Sequence, residues 1–508
     1  MSTPNVGQDK IVVDAAFLQV AKGSLLLRLG AVLAKLFGFL RQFLVIRMLS
    51  PNDYGLFALS LTVVTVLGAL GSVGLYHGAQ RFIAYNIEKD DLSKVKGTIQ
   101  TSVWITTSTS LLFMVLLIAF AYPLAGFFSK PEMKSLLLIM SPIVPFQVAA
   151  LLMTSFFLGF HRPAPQVVIG DIGFGLISVI TIFISLLIAR SVYSPAIAVS
   201  ISFFLVFLAS ISLYKFRFPM NLKSVHASPM AKTLLHFSLP LFLFSILYTV
   251  MGNTDTVVIA HYLPAKQVGF YNAAFLLMSA LPIFYTAVGL IYLPVATSLK
   301  AREAQTESVK LYQSSTRWPF IFTLPLFLTF FLFPAQALSL LFGGRYIEAA
   351  TSLWILSIGA LIGTFLGPNS TALIAYGDTR PVLYASMAAT VIDIVLCLLL
   401  VPQIGISGAA IASASALGVS NLTYSIVLWI RHKIHPFETK YIAAVLFLLA
   451  MGLALYKPLG AAINRVDWLV LLVYPLFLIA GLLFIVLTRS VTEEDRFLWR
   501  VVKDRLRR

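Results

Sequence analysis

Residues 23–49 read GSLLLRLGAVLAKLFGFLRQFLVIRML, an apolar stretch of membrane-spanning length that carries four cations and no carboxylate. The cations are Arg28, Lys35, Arg41 and Arg47. A charged side chain near the centre of a bilayer is costly, so such residues normally face a protein interior or a water-filled cavity. We therefore expect this first helix to form the wall of a basic cavity.

The composition of the whole chain shows what kind of protein would contain that helix. Of the 508 residues, 59% are hydrophobic and only 11% are charged, whereas soluble domains have roughly 25% charged residues. We predict an all-α polytopic membrane protein with about 14 transmembrane helices. The apolar stretches lie at 23–49, 55–79, 99–121, 135–158, 166–189, 193–214, 233–260, 268–294, 317–342, 350–375, 381–401, 406–430, 441–459 and 467–488.

The net charge of +17 raises the question of nucleic-acid binding, and the positions of the cations argue against it. Most of them fall in alternate short loops and in the C-terminal tail, not in one basic domain. This pattern follows the positive-inside rule. We expect a multi-pass protein of the cytoplasmic (plasma) membrane with both termini in the cytoplasm.

An internal repeat divides the chain. A shift of 214 positions aligns Arg47–Gly55 with His261–Gly269, and Gly159–Pro163 resembles Gly377–Pro381. Six spans in each half give two parallel lobes, an arrangement known in transporters. The predicted divisions are an N-terminal tail (1–22), an N-lobe (23–214), a cytoplasmic linker able to act as a hinge (215–232), a C-lobe (233–431), two further spans (432–489) and a basic amphipathic tail (490–508).

The same offset pairs the basic Arg41 with the acidic Asp255. A carboxylate at that depth is as costly as a cation, so we expect Asp255 to approach Arg41 or Lys35 in at least one state. Helical geometry puts Arg28 and Lys35, seven residues apart, on one face. Gathering Arg41 with them requires a bend at Gly38 or a wide cavity.

The candidate site residues fall into two groups. The predicted cationic cavity for substrate contains Arg28, Lys35, Arg41, Arg47, His77 and Arg81. The candidates for gating or ion coupling are Asp255, Asp171 and Asp393. Other roles remain open for each group. The cations can extend to lipid headgroups, and Arg47 fits a position at the outer end of the first helix, outside the site. His77 and Arg81 fit anchors at the membrane interface, and the three acids can be structural.

The sequence contains none of three common enzyme signatures. It has no Walker A loop, no His-Glu-x-x-His motif and no Gly-x-Ser-x-Gly motif. We therefore expect a membrane transporter and no enzyme, with no catalytic residue, metal site or cofactor. A coupling ion, Na+ or H+, is the one small partner we consider.

Three features together resemble a known family: fourteen spans in two parallel lobes, the LSPNDYGLFA run at 49–58 after a cationic helix, and the GFYNA segment at 269–273. The chain resembles the polysaccharide-transport (Wzx-type) flippases of the multidrug, oligosaccharidyl-lipid and polysaccharide (MOP) exporter superfamily. The resemblance implies a MATE-like fold and transport of polyprenyl-(pyro)phosphate-linked oligosaccharide by alternating access. It also implies a cationic central cavity that holds the pyrophosphate.

Three other functions remain alternatives to oligosaccharide transport. A lipid II flippase has the same helix plan, and a cation-coupled multidrug exporter belongs to the same superfamily. A membrane glycan ligase or polymerase is a different class and usually needs a large extramembrane domain. Expected partners are the lipid-linked oligosaccharide, membrane lipids and glycan polymerase or glycosyltransferase machinery, with no nucleic acid.

Overall fold

The computed structural model describes residues 27, 30–218, 220, 222, 224–463 and 465–488. Every regular element within these ranges is a helix, which confirms the all-α class. The predicted tails at 1–22 and 490–508 fall outside the described residues. By their contacts the helices form two compact units, one ending at Asn253 and the other beginning at Thr254.

The first unit contains nine α-helices in its described residues. They are α1 (30–48), α2 (Pro51–Ser72), α3 (Leu75–Ile87), α4 (Leu92–Phe127), α5 (Met133–Met140), α6 (Ile143–Gly159), α7 (Phe174–Ile188), α8 (Tyr193–Arg217) and α9 (Ala231–Met251). A π-helical segment, Gln166–Gly173, leads directly into α7.

The second unit contains eleven α-helices in its described residues. They are α10 (Thr254–Tyr262), α11 (Ala265–Met278), α12 (Ile283–Ala301), α13 (Gln305–Leu332), α14 (Pro334–Phe342), α15 (Ala350–Phe365), α16 (Asn369–Ala375), α17 (Thr379–Ile404), α18 (Ile406–His432), α19 (Thr439–Ile463) and α20 (Val470–Leu487). Short 3-10 helices cover Gly344–Ala349 and Asp467–Leu469.

Eleven helical stretches in the described residues are long and apolar enough to cross a membrane. The three other predicted spans correspond to α1, to α9 with α10, and to α11 with α12. The polytopic class is therefore confirmed, and the count of fourteen stays a prediction.

Local sequence explains where the helices begin. The Ser50 hydroxyl accepts a hydrogen bond from the Asp53 backbone N–H at 3.1 Å, and Pro51 occupies the first turn of α2, where no N–H is needed. In the second unit, α10 ends at Tyr262 and α11 begins at Ala265. These boundaries lie 214 positions after the end of α1 and the start of α2, which is the offset of the repeat.

Helix α9 packs with the first unit, although the predicted division places residues 233–253 in the C-lobe. Glycines allow close packing: a Cβ built on Gly78 would lie 2.3 Å from Ser238 Oγ, and one built on Gly74 would lie 3.0 Å from Phe242 Cβ. The contact boundary thus falls one helix later than the boundary drawn from the repeat. The lobe division itself stays a prediction.

The linker before α9 is tied to the start of α4. Ser228 N–H donates to Ser93 O at 3.1 Å, and their hydroxyls lie 2.9 Å apart. Lys96 Nζ donates to Val225 O at 2.7 Å, and a Cβ on Gly97 would lie 1.9 Å from Ser228 O. Only glycine fits at position 97 with the linker in this place; its role as a hinge stays a prediction.

Candidate functional site

Helix α1 carries the predicted cationic wall. The helix continues without interruption through Gly38, with Lys35 exposed, Arg41 half-buried and Arg47 exposed. Arg28 lies outside the described residues. The wall therefore consists here of two side chains at different depths of burial, Lys35 and Arg41, with Arg47 close to the end of the helix.

One side of α1 lies directly on the π-helical segment and on α7. A Cβ built on Gly30 would lie 2.6 Å from Val167 Cγ1, and a Cβ built on Gly175 would lie 2.7 Å from Phe37 Cβ. Both positions therefore depend on glycine, which allows the backbones to approach. This contact fixes which side of α1 faces the rest of the first unit.

Arg41 lies over an aromatic ring on the packed side. Its Cζ atom is 5.4 Å from the centroid of the Phe174 ring, within the range of a cation–π interaction. Phe174 in turn lies 4.4 Å from the ring of Phe203 on α8, at an interplanar angle of 34°. The guanidinium is thus supported by two aromatic residues from two helices.

Gly38 opens the face between the two cations. It is three positions from both Lys35 and Arg41, so it lies about 60° around the helix from each. No described atom of a neighbouring element lies within 4 Å of the place that a Gly38 Cβ would occupy. The two cations consequently flank a strip of α1 on which no described neighbouring atom lies close to Gly38.

Asp171 is the candidate acid of the first unit. It lies in the π-helical segment and is half-buried, near the side chain of Gln166. Its Oδ2 would lie 3.1 Å from a Cβ on Gly30. Asp171 therefore faces the start of the described part of α1, and its coupling role stays a prediction.

His77 and Arg81 lie on α3. The guanidinium Cζ of Arg81 is 4.2 Å from the ring centroid of Phe237 and 5.6 Å from that of Phe82. The His77 ring lies 4.0 Å from that of Tyr76. These contacts fit the anchoring alternative, and a role in substrate binding stays a prediction.

Asp255 lies in the first turn of α10 in the second unit. Its carboxylate accepts hydrogen bonds from Tyr271 Oη and Ser413 Oγ, and Cys397 Sγ lies 3.7 Å from its Oδ1. The two hydroxyls are themselves 2.9 Å apart. Donors from α11, α17 and α18 thus converge on one carboxylate. The predicted approach to Arg41 or Lys35 stays a prediction.

Asp393 lies one turn before Cys397 on α17, at the edge of this cluster. It is 8% exposed, and its buried Oδ1 has no hydrogen-bond partner among the described residues. Buried polar oxygens are normally paired, and an unpaired one costs free energy. A buried carboxylate with one unpaired oxygen next to Asp255 is a candidate for binding a proton or a small cation.

The described residues contain no group of three or more His, Cys, Asp or Glu side chains that could hold a metal ion. A cation at Asp255 and Asp393 would need hydroxyl or carbonyl oxygens as further ligands. Sodium and protons suit such a site better than zinc, which prefers nitrogen and sulfur.

Sequence reasoning missed the side chains that hold these charges in place: Phe174, Phe203, Tyr271 and Ser413. Tyr271 is the third residue of the GFYNA segment, which the sequence analysis had already singled out, so this residue could have been proposed from the sequence. The other three depend on which helices are neighbours and had no signal that we can identify in the sequence.

Comparison with known proteins shows which families this chain matches. The family model described as polysaccharide biosynthesis protein matches residues 20–300, and the MatE model matches residues 240–399. The succinoglycan biosynthesis transport protein ExoT of Rhizobium meliloti (strain 1021) is 26% identical over 344 residues. That match covers 64% of this chain and 62% of the relative's length.

Two solved structures share the fold at 16% sequence identity. The lipid II flippase MurJ in an inward closed conformation has a TM-score of 0.71 and covers 92% of this chain and 99% of its own. An inward-facing multidrug resistance MATE family transporter of the MOP superfamily has a TM-score of 0.63, with coverages of 80% and 98%. The predicted MATE-like fold is therefore confirmed.

Proposed function

The chain belongs to the polysaccharide biosynthesis protein family of the MOP superfamily, and we propose that it flips a polyprenyl-(pyro)phosphate-linked oligosaccharide across the cytoplasmic membrane. The family and the fold are those of transporters, which supports a transporter and no enzyme. The relative named for succinoglycan transport supports a glycan precursor as the substrate. Transport would proceed by alternating access.

The observation that carries the proposal is the open strip of α1 between Lys35 and Arg41. An arginine can donate two parallel hydrogen bonds to a phosphate, and a lysine adds a compact charge beside it. We assign these residues to the (pyro)phosphate, which, like the polyprenyl lipid, is common to substrates with different sugars. Arg28 and Arg47 would extend the basic strip along the same helix.

We further propose that export is coupled to Na+ or H+ at Asp255 and Asp393. Binding of a cation there would relieve the unpaired oxygen of Asp393, and a ligand shifts a conformational equilibrium when it binds one state better than another. The termini would lie in the cytoplasm, where glycosyltransferases would supply the substrate, and a glycan polymerase would use it after export.

The test is export of lipid-linked glycan in cells that lack the native gene. Arg41→Ala and Lys35→Ala should each abolish export while the amount of protein in the membrane stays normal. Full activity in both variants would refute the assignment of the site. A second assay separates the two flippase activities. Purified protein in vesicles is given either a lipid-linked oligosaccharide or lipid II. If only lipid II is flipped, the protein is a lipid II flippase and the proposed substrate is wrong.

A further inference from the structure

Phe174 is placed between the cation of the proposed site and a second aromatic ring. Arg41 Cζ lies 5.4 Å from the Phe174 ring, and Phe203 lies 4.4 Å from it. Within the described part of the first unit no carboxylate forms an ion pair with Arg41. The ring therefore orients the guanidinium in this unit, and the buried side chain of Tyr54 also lies near it.

A cation–π contact differs from an ion pair in the number of guanidinium N–H donors that it leaves available. A guanidinium has five N–H donors in one plane, and a carboxylate partner would occupy two of them. An aromatic ring attracts the cation through its π-electron face and accepts no conventional N–H bond. Arg41 is thus held while its donors remain available for the oxygens of another molecule.

The π-helical segment determines where Phe174 points. It covers the eight residues Gln166–Gly173 immediately before Phe174, and π-helical turns are rare and often occur at functional sites. A Cβ built on Gly173 would lie 2.6 Å from the backbone oxygen of Val168, five residues earlier. Glycine at 173 therefore permits the wide turn that sets the direction of the Phe174 ring.

From this geometry we infer that Phe174 is a positioning residue for phosphate recognition: it holds Arg41 so that the guanidinium edge binds a phosphate or pyrophosphate ester. The inference rests on the proposed function and adds a residue that touches Arg41 and need not touch the substrate. Phe174 acts only through Arg41, so its effect disappears when Arg41 is absent.

The experiment measures binding of farnesyl pyrophosphate to the purified full chain in lipid nanodiscs by titration calorimetry. Phe174→Leu keeps an apolar side chain and removes the ring; we expect it to weaken binding roughly 5- to 30-fold, the range of a desolvated cation–π contact. Phe174→Tyr keeps the ring and should restore affinity to within about twofold of the wild type. Phe183→Leu, the same change at an exposed position of α7, is the matched control and should have no effect.

A double-variant cycle separates positioning from a structural role. In the Arg41→Ala background, Phe174→Leu should cause no further loss of affinity. An equal loss in both backgrounds, or normal binding by Phe174→Leu, would overturn the inference.

The same measurements show whether the proposed function fails instead. If Arg41→Ala binds the probe as well as the wild type, or the wild type does not bind it, both the site assignment and the inference are refuted. If Arg41→Ala weakens binding and Phe174→Leu does not, the site stands and only the inference is wrong.

Discussion

Arg41 and Asp255 occupy equivalent positions in the two halves of the repeat, and their surroundings differ. Helix α1 passes through Gly38 without interruption, whereas the equivalent helix stops at Met251 and begins again at Thr254. Arg41 rests on the face of one ring. Asp255 accepts hydrogen bonds from two hydroxyls and lies beside a thiol.

The difference shows two ways of keeping a charge inside a membrane protein. The donors of Arg41 are left available, which suits a group that binds a transported anion. The oxygens of Asp255 are largely satisfied by its own unit, and the unpaired oxygen belongs to its neighbour Asp393. This difference is what we expect if, as proposed, the first region binds a large anionic ligand and the second binds a proton or a small ion.

The largest effect is expected from closing the open strip on α1. Gly38→Leu would place a branched side chain between Lys35 and Arg41, and its Cβ would not clash with any described neighbouring atom. Overlap of a ligand with that side chain should reduce export about 100-fold or more, which corresponds to ~2.8 kcal/mol. Export of glycan, normalised to the amount of protein in the membrane, measures this.

Gly126→Leu is the matched control for that change. Gly126 lies near the end of α4 and is equally open, with no described neighbouring atom within 4 Å of its Cβ position. Its replacement should leave export close to that of the wild type. Normal export by Gly38→Leu would mean that the strip does not receive the substrate.

The second expected effect concerns the stability of the Asp255 cluster. Asp255→Ala would leave the hydroxyls of Tyr271 and Ser413 without their shared acceptor in an apolar environment. We expect the free energy of unfolding to fall by about 1–3 kcal/mol. Thermal unfolding in detergent measures it, with Asp255→Asn, which keeps one acceptor oxygen, as the milder comparison.

A variant Asp255→Ala as stable as the wild type would contradict the view that this charge is satisfied internally. Asp255 would then resemble Arg41, a group whose hydrogen-bonding capacity is directed elsewhere. The contrast between the two halves of the repeat would disappear.

The sequence predicted much of this arrangement, and the reasons are local. A cationic helix followed by Ser50 and Pro51 defines the end of α1 and the start of α2, and the repeat gives the corresponding start of α11. Hydrophobic composition was sufficient for the all-helical membrane class. These features depend on neighbouring residues or on overall amino-acid content.

The interruption at Gly252 and Asn253 depends on distant residues and could not be predicted. Asn253 Nδ2 donates to Thr249 O at 2.7 Å, and Thr62 Oγ1 donates to Asn253 Oδ1 at 3.2 Å from 191 positions away. An asparagine side chain that bonds the preceding turn competes with the helix backbone. At the equivalent position α1 has Phe39, which cannot form such bonds.

The direction of Phe174 could not be predicted for a different reason. Sequence patterns are interpreted with 3.6 residues per turn, and the π-helical segment before Phe174 departs from that period. The bend at Gly38 considered from the sequence was one of two ways to bring Arg41 towards Lys35. In the structure α1 stays continuous there, and Lys35 and Arg41 lie on either side of Gly38.

A third, smaller effect should distinguish Asp393 from Asp255. Asp393→Asn removes a charge next to Asp255 while keeping the size of the side chain. The buried Oδ1 has no hydrogen-bond partner among the described residues, so the substitution breaks no hydrogen bond of that atom. We expect the free energy of unfolding to change by less than about 1 kcal/mol. The dependence of export on a Na+ or pH gradient should be lost, which flux measurements in vesicles can detect.

Destabilisation of Asp393→Asn as large as that of Asp255→Ala, with gradient dependence intact, would make Asp393 a structural acid. The coupling ion would then have to bind elsewhere, and Asp171 would be the remaining candidate acid.

The last comparison exchanges the two types of cation on α1. Arg41→Lys keeps the charge but loses the planar group that lies on Phe174 and can donate two parallel bonds to phosphate. We expect export to fall about 5- to 10-fold. Lys35→Arg changes an exposed side chain and should alter export less than about twofold, because a guanidinium can replace an ammonium where no ring or fixed geometry selects between them. Equal effects of the two exchanges would show that charge alone matters along α1, and the aromatic support of Arg41 would then have no part in recognising the substrate.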